Sequence, residues 1–121
     1  MLTVGVDIVE THRIQGVLER RGERFLNRIY TKAELALYRN RISELAARFA
    51  GKEATMKALG TGVRGIGWRE IEILPNRRGK PVLILHGRAK ERARLLGIGE
   101  LAISLSHTKE YAVASVVGGA P

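Results

Sequence analysis

The stretch "LTVGVDIVE" alternates without a break, with Leu2, Val4, Val6 and Ile8 on one face and Thr3, Gly5, Asp7 and Val9 on the other. A strict period of two predicts a β-strand. Residues around 12–29 follow helical spacing but are interrupted by Gly16 and Gly22, which predicts two short helical pieces. Thr31 with Glu34 three residues on forms a capping box that starts a helix at "KAELALYR". A longer helix follows from about Ser43 to Leu59, closed by Gly60. "REIEIL" and "KPVLILH" read as strands joined by the breaker-rich "PNRRG", and "AKERARLLG" as a short amphipathic helix. "LAISLS" and "YAVASVV" flank "HTKE" as a terminal hairpin. The order β-α-α-α-β-β-α-β-β, with no repeat or linker, predicts an α+β fold with helices packed on one face of a largely antiparallel sheet. One domain over residues 1–121 is expected.

Two acidic residues break this pattern. Around a helix of 3.6 residues per turn, Ala46, Phe49, Ala50, Met56 and Lys57 all fall within about 60° of Glu53. The Glu53 carboxylate therefore belongs to an apolar face, where it is costly unless cations or donors meet it. Aspartate is depleted in strands, yet Asp7 sits mid-strand on the face that carries Gly5. Asp7 reads either as a cap on the following helix or as a hard-metal ligand. Mg²⁺ prefers one or two carboxylates completed by phosphate oxygens and water, and Asp7 with Glu53 makes that pair if the long helix crosses the strand. Glu53 and Lys57, four apart, read equally as an ordinary helix ion pair or as the edge of a phosphate site before the glycine turn "GTG". In "SLSHTKEY", His107 opens a turn, and no nucleophile-elbow pattern supports a serine hydrolase.

Charge narrows the partners. Twenty-one basic against twelve acidic side chains leave a net charge of +9, which attracts nucleic acid, anionic membrane, phosphorylated ligands or an acidic protein. RNA binding is the rival reading, but Phe25, Tyr30, Tyr38, Phe49, Trp68 and Tyr111 are scattered rather than clustered as stacking platforms. With no cysteine there is neither a disulfide framework nor a thiolate metal site. Asp7 comes too early for a signal peptide, and no apolar run reaches the roughly 18 residues of a membrane span. A cytoplasmic protein without nucleic-acid or membrane partners is expected.

Taken together, "GVDIVETHRI", "RFAGKEATMKALGTG" and "SLSHTKEYAVASVV" resemble the holo-acyl-carrier-protein synthases, small 4′-phosphopantetheinyl transferases. "NRRGKP" matches that family's glycine-lysine-proline turn, and the combination is specific where any one motif alone is weak. Gly51 stands where alanine is frequent, and the loop Arg64–Trp68 is variable in the family. The single-domain length disfavours the broad-specificity transferases of secondary metabolism, which resemble two such domains fused.

The resemblance implies a homotrimer with active sites at subunit boundaries, and a role in fatty acid biosynthesis. It implies that Asp7 and Glu53 bind a Mg²⁺ that also holds the pyrophosphate of coenzyme A. The 4′-phosphopantetheine arm then moves to a serine of apo-acyl carrier protein, and adenosine 3′,5′-bisphosphate leaves. Glu53, directly or through a metal-bound water, would take the serine proton, and Lys57 would stabilise the phosphate and leaving group. By the same resemblance Arg48, His107 and Thr108 would hold phosphates of coenzyme A, Thr61 would contact it, and Gly79, Lys80 and Pro81 would line its nucleotide side. Arg20, Arg24 and Arg28 form an i, i+4 stripe with Arg13 upstream and Phe25 beside it. On charge alone this reads as a solvated surface balanced by Glu19 and Glu23, or as a docking face. The resemblance implies docking of the acidic carrier protein.

Overall fold

The computed structural model describes residues 1–120. In chain order the elements are β1 (Leu2–Glu10), α1 (Thr11–Arg21), α2 (Glu23–Ile29), α3 (Lys32–Tyr38) and α4 (Ile42–Leu59). A 3₁₀ turn at Trp68–Glu70 then leads into β2 (Ile71–Pro75), β3 (Pro81–Leu85), α5 (Gly87–Leu95), β4 (Glu100–His107) and β5 (Tyr111–Gly119). The α+β class and the antiparallel pairing agree with the sequence reading. The two short pieces, the capped helix and the long helix are all present, so four helices precede β2, one more than the order β-α-α-α-β-β-α-β-β counts. Gly16 lies inside α1, and only Gly22 interrupts, with φ 52° and its N–H donated to the Leu18 carbonyl at 2.8 Å. A helix-interior glycine costs only about 1 kcal/mol, which the buried Ile14 beside it offsets. Positive φ, in contrast, ends a helix.

β5 is the central strand of a three-stranded sheet, paired antiparallel to β1 from Leu2↔Gly119 to Glu10↔Tyr111 and to β4 from Glu100↔Gly119 to His107↔Ala112. β2 and β3 form a separate hairpin from Ile71↔Leu85 to Pro75↔Pro81. At its tip the Asn76 side chain accepts from the Arg78 and Lys80 amides at 2.9 and 3.0 Å. Gly79 supplies the positive φ, 86°, that this turn requires. Arg69 and Glu70, expected in the strand "REIEIL", belong instead to the 3₁₀ turn.

α4 organises the molecule. Its small side chains Ala50, Ala54 and Ala58 let it lie close against β1 and β5, where they pack with Ile103, Ala114 and Val116. Another side of the helix carries Met56 and Leu59 into a second core with Ile71, Ala89, Ala93 and Ile98, which holds α5 and the hairpin. Leu45, near its start, joins Leu26, Ile29, Tyr30, Leu35 and Tyr38 beneath α2 and α3. At roughly 2 kcal/mol for each fully buried large aliphatic chain, these contacts carry the fold. All of this covers one face of the sheet. The other face is bare: Leu2, Val4, Val6 and Ile8 are 81, 66, 57 and 61% exposed, and Val117 of β5 lies beside them at 43%. Among the described residues no helix is long and apolar enough to cross a membrane.

Candidate active site

Strand alternation turns Gly5 and Asp7 inward, and the last turns of α4 lie across them. Three hydrogen bonds fix this crossing. The Thr3 hydroxyl donates to the Ala58 carbonyl at 2.7 Å, and Lys57 Nζ donates to the Val6 carbonyl at 3.0 Å and to Asp7 Oδ1 at 3.1 Å. Lys57 therefore pairs with Asp7 on the strand rather than with Glu53 one turn back on its own helix. The Asp7 side chain is 14% exposed and that of Lys57 54%, so solvent screens the pair from the lysine side.

Asp7 and Glu53 line one cavity of about 360 Å³, together with Arg13 of α1 and the apolar walls Ile14, Val17, Phe25 and Phe49. Glu53 is half-buried. Burial pushes its carboxyl above the usual range and the Asp7 charge pushes the same way, against the pull of Lys57 and Arg13. Two carboxylates thus face one hollow with incomplete neutralisation, which is an electrostatic demand for a cation. Among the described residues no group of three or more His, Cys, Asp or Glu side chains gathers as a metal cage. Two carboxylates without a cage suit Mg²⁺, which leaves its remaining positions to phosphate oxygens and water.

Of the carrier-docking candidates, Arg13 and Phe25 line the same cavity. Arg13, Arg20, Arg24 and Arg28 are exposed, and none forms an ion pair among the described residues. The acidic residues read as their balance are otherwise engaged: Glu19 accepts from Gln15, and Glu23 pairs with Arg39. Gly22 divides the stripe between α1 and α2. Arg28 turns away to a second hollow of about 660 Å³ with Trp68, Arg69 and Arg88. That hollow is the larger, but it lacks paired carboxylates. Phe25 meets Phe49 at 6.4 Å, and Phe49 stacks on Trp68 at 5.0 Å, so an aromatic row backs the carboxylate cavity.

The remaining candidates do not line that cavity within this chain. Arg48 is buried, its guanidinium taken by the Ile73 carbonyl at 3.1 Å, Glu44 at 2.9 Å and the Tyr38 hydroxyl at 2.9 Å. In this arrangement Arg48 ties α4 to β2 and α3. Thr61 follows the left-handed Gly60 at the end of α4, its amide donated to Met56 and its hydroxyl to the Gly62 carbonyl. Gly79, Lys80 and Pro81 stand at the exposed tip and base of the β2–β3 turn. His107 closes β4, exposed, and the Thr108 hydroxyl accepts from the Glu110 and Tyr111 amides.

Residue-by-residue reasoning passed over the neighbour of Glu53. Lys52 is fully buried and donates to Glu34 at 2.8 Å, to the Trp68 carbonyl at 3.3 Å and to the Ile71 carbonyl. The helical period carried a signal, because Lys52 shares a stripe with Leu45, Met56 and Leu59, all buried.

The kinship of this chain is direct. Residues 3–116 match the model of the 4′-phosphopantetheinyl transferase superfamily, and the chain belongs to that family. Within it the chain sides with the holo-[acyl-carrier-protein] synthases. It is 48% identical over 125 residues to the enzyme of that name from Herpetosiphon aurantiacus, covering 98% of each chain. The crystal structure of the Neisseria meningitidis synthase superposes with a TM-score of 0.90 at 34% identity, over 97% of both chains. The Helicobacter pylori synthase, solved in complex with coenzyme A, gives 0.87 at 32% identity, over 96% of this chain and 99% of that one.

Proposed function

We propose that this protein transfers the 4′-phosphopantetheine group of coenzyme A to a serine hydroxyl of apo-acyl carrier protein, releasing adenosine 3′,5′-bisphosphate. The observation that carries the reading is the Asp7–Glu53 cavity, lined also by Arg13 and with Lys57 bonded to Asp7, in a member of a family that performs this transfer. The coenzyme A complex of the similar Helicobacter pylori synthase supports the donor. Mg²⁺ held by Asp7 and Glu53 would neutralise charge on the pyrophosphate. Glu53, directly or through a water, takes the serine proton as the serine oxygen bonds to phosphorus and the bond to the departing bisphosphate breaks. Lys57 holds the pyrophosphate, so that charge building on the leaving phosphate meets a fixed ammonium. Outside the cavity, His107 and Thr108 hold phosphates of coenzyme A, Thr61 contacts it, and the Gly79–Lys80–Pro81 turn lines its nucleotide side.

Assembly belongs to the same reading. The bare apolar face of β1 is what a homotrimer would bury, and residues outside the cavity of one chain would then reach the site of the next. A cytoplasmic role in supplying holo-carrier protein for fatty acid synthesis follows from the acceptor. The deciding experiment is mass spectrometry of apo-acyl carrier protein incubated with coenzyme A, Mg²⁺ and enzyme, beside the Glu53→Gln variant. The wild type adds the mass of phosphopantetheine to the serine, and Glu53→Gln falls by about 10² or more. No mass gain with wild type, or near-normal turnover by Glu53→Gln at saturating Mg²⁺, refutes it.

A further inference from the structure

Two carboxylates from different elements serve one cation only if the elements are held at a fixed spacing. The strand supplies Asp7 and the helix supplies Glu53, so the spacing is set where β1 and α4 touch. That contact is backbone against backbone. A Cβ added at Gly5 would fall on the Ala54 carbonyl oxygen and lie 2.9 Å from both the Ala54 carbonyl carbon and the Ala58 nitrogen. These are atoms of a hydrogen-bonded helix interior and cannot swing aside as a side-chain tip does. On either side of this point the seam is pinned by Thr3 on Ala58 and by Lys57 on Val6 and Asp7.

We propose that Gly5 is a positioning residue for the phosphopantetheinyl transfer: its missing side chain sets the separation of Asp7 and Glu53. The inference rests on the assignment of these carboxylates to a Mg²⁺–pyrophosphate site. Alanine at this position forces α4 away from β1 by on the order of 1 Å, the step from overlap to van der Waals contact. Asp7 stays with the strand, while Glu53 and Lys57 leave with the helix. Gly5 is two residues from Asp7 and touches the helix one residue from Glu53 and Lys57, so the displacement is felt where the carboxylates meet. A misplacement of about 1 Å costs about a hundredfold in rate.

The test is isothermal titration of Mg²⁺ into the trimer or monomer as purified, with coenzyme A present and carrier protein absent, alongside steady-state kinetics. Gly5→Ala is expected to bind Mg²⁺ at least about tenfold more weakly and to lose kcat about a hundredfold, while its KM for carrier protein stays within twofold. Leu35→Ala, which opens a core that contains no residue of the seam, serves as the destabilised reference and should keep wild-type Mg²⁺ affinity. Wild-type affinity in a folded Gly5→Ala protein overturns the proposal, as does an equal loss in Leu35→Ala. If Gly5→Ala does not fold, Thr3→Val decides, since it frees the same seam without filling it. A loss of about threefold in Mg²⁺ affinity supports the role, and none overturns it. A wild-type protein that binds no Mg²⁺ under these conditions refutes the metal assignment itself, a result separate from unequal variants.

Discussion

Removing the Lys52 ammonium should be among the most damaging single changes in this protein. Lys52 and Glu34 are both fully buried and 2.8 Å apart. Burial pushes the lysine below its usual range, opposed by the charge and hydrogen bond of Glu34. The network has more members than the pair. Glu34 also accepts from the Thr31 amide and the Ile73 amide, each at 2.9 Å, and Lys52 satisfies the Trp68 and Ile71 carbonyls. Lys52→Met fills nearly the same volume but leaves a buried carboxylate without its cation and takes the ammonium donor from the Ile71 carbonyl, while the Trp68 carbonyl keeps the Ile71 amide. Breaking a buried pair from one side costs about 3–5 kcal/mol. At about 2 cal/mol/K of unfolding entropy per residue, a chain of 121 residues loses roughly 4 °C per kcal/mol. The expected fall in Tm is therefore about 12–20 °C. Thermal and urea unfolding at neutral pH measure it. The double variant Glu34→Gln/Lys52→Met, which removes the stranded charge, should recover at least about 1 kcal/mol of the loss. A Lys52→Met protein destabilised by less than about 1 kcal/mol would refute the buried-pair reasoning.

Three further outcomes are expected. Burial raises the Glu72 carboxyl, but hydrogen bonds from Thr31 and His86, with the charges of His86 and Lys52, outweigh it and hold the group below its usual range. A carboxyl depressed on folding contributes stability above its unfolded pKa and loses it as pH falls through the folded one. Melts across pH 3–6 should show an acid limb that Glu72→Gln flattens, and an unchanged limb would contradict the assignment. Arg24→Glu, at the centre of the unpaired arginines, should raise the carrier-protein KM about three- to tenfold at low salt and less at high salt, with coenzyme A binding untouched; an unchanged low-salt KM places docking elsewhere. In Gly51→Ala the new Cβ would meet Ile73 Cδ1 at 2.6 Å and Ile103 Cδ1 at 3.1 Å. The overlap outweighs the helix gain of about 1 kcal/mol, so Gly51→Ala should melt lower. Adding Ile73→Val, which deletes the first obstructing methyl, should restore it, and a Gly51→Ala protein that melts higher by itself would count against this packing.

What the sequence determined by itself is local. The Thr31–Glu34 capping box is present in the structure with both of its hydrogen bonds, because its members lie within one turn of chain. Gly60 ends α4 in the left-handed region, because a glycine takes that conformation without the Cβ penalty other residues meet. The motifs around Asp7, Glu53 and His107 identified the family, since the residue types themselves carry the likeness. Tertiary structure decided which neighbours those residues meet. Alternation in β1 distinguished two faces without saying which one α4 would cover. The covered face is that of Gly5 and Asp7, because a helix of small residues can reach a strand only where no Cβ stands between them, and the four large aliphatics were left outside. Spacing offered Lys57 to Glu53, yet the crossing of α4 over β1 gave it to Asp7. Lys52 and Glu34 are 18 residues apart and meet only because α3, α4 and β2 close around them. Contacts within four residues are fixed by chain geometry, whereas these depend on how the elements pack, and the burial that makes them strong exists only once they have packed.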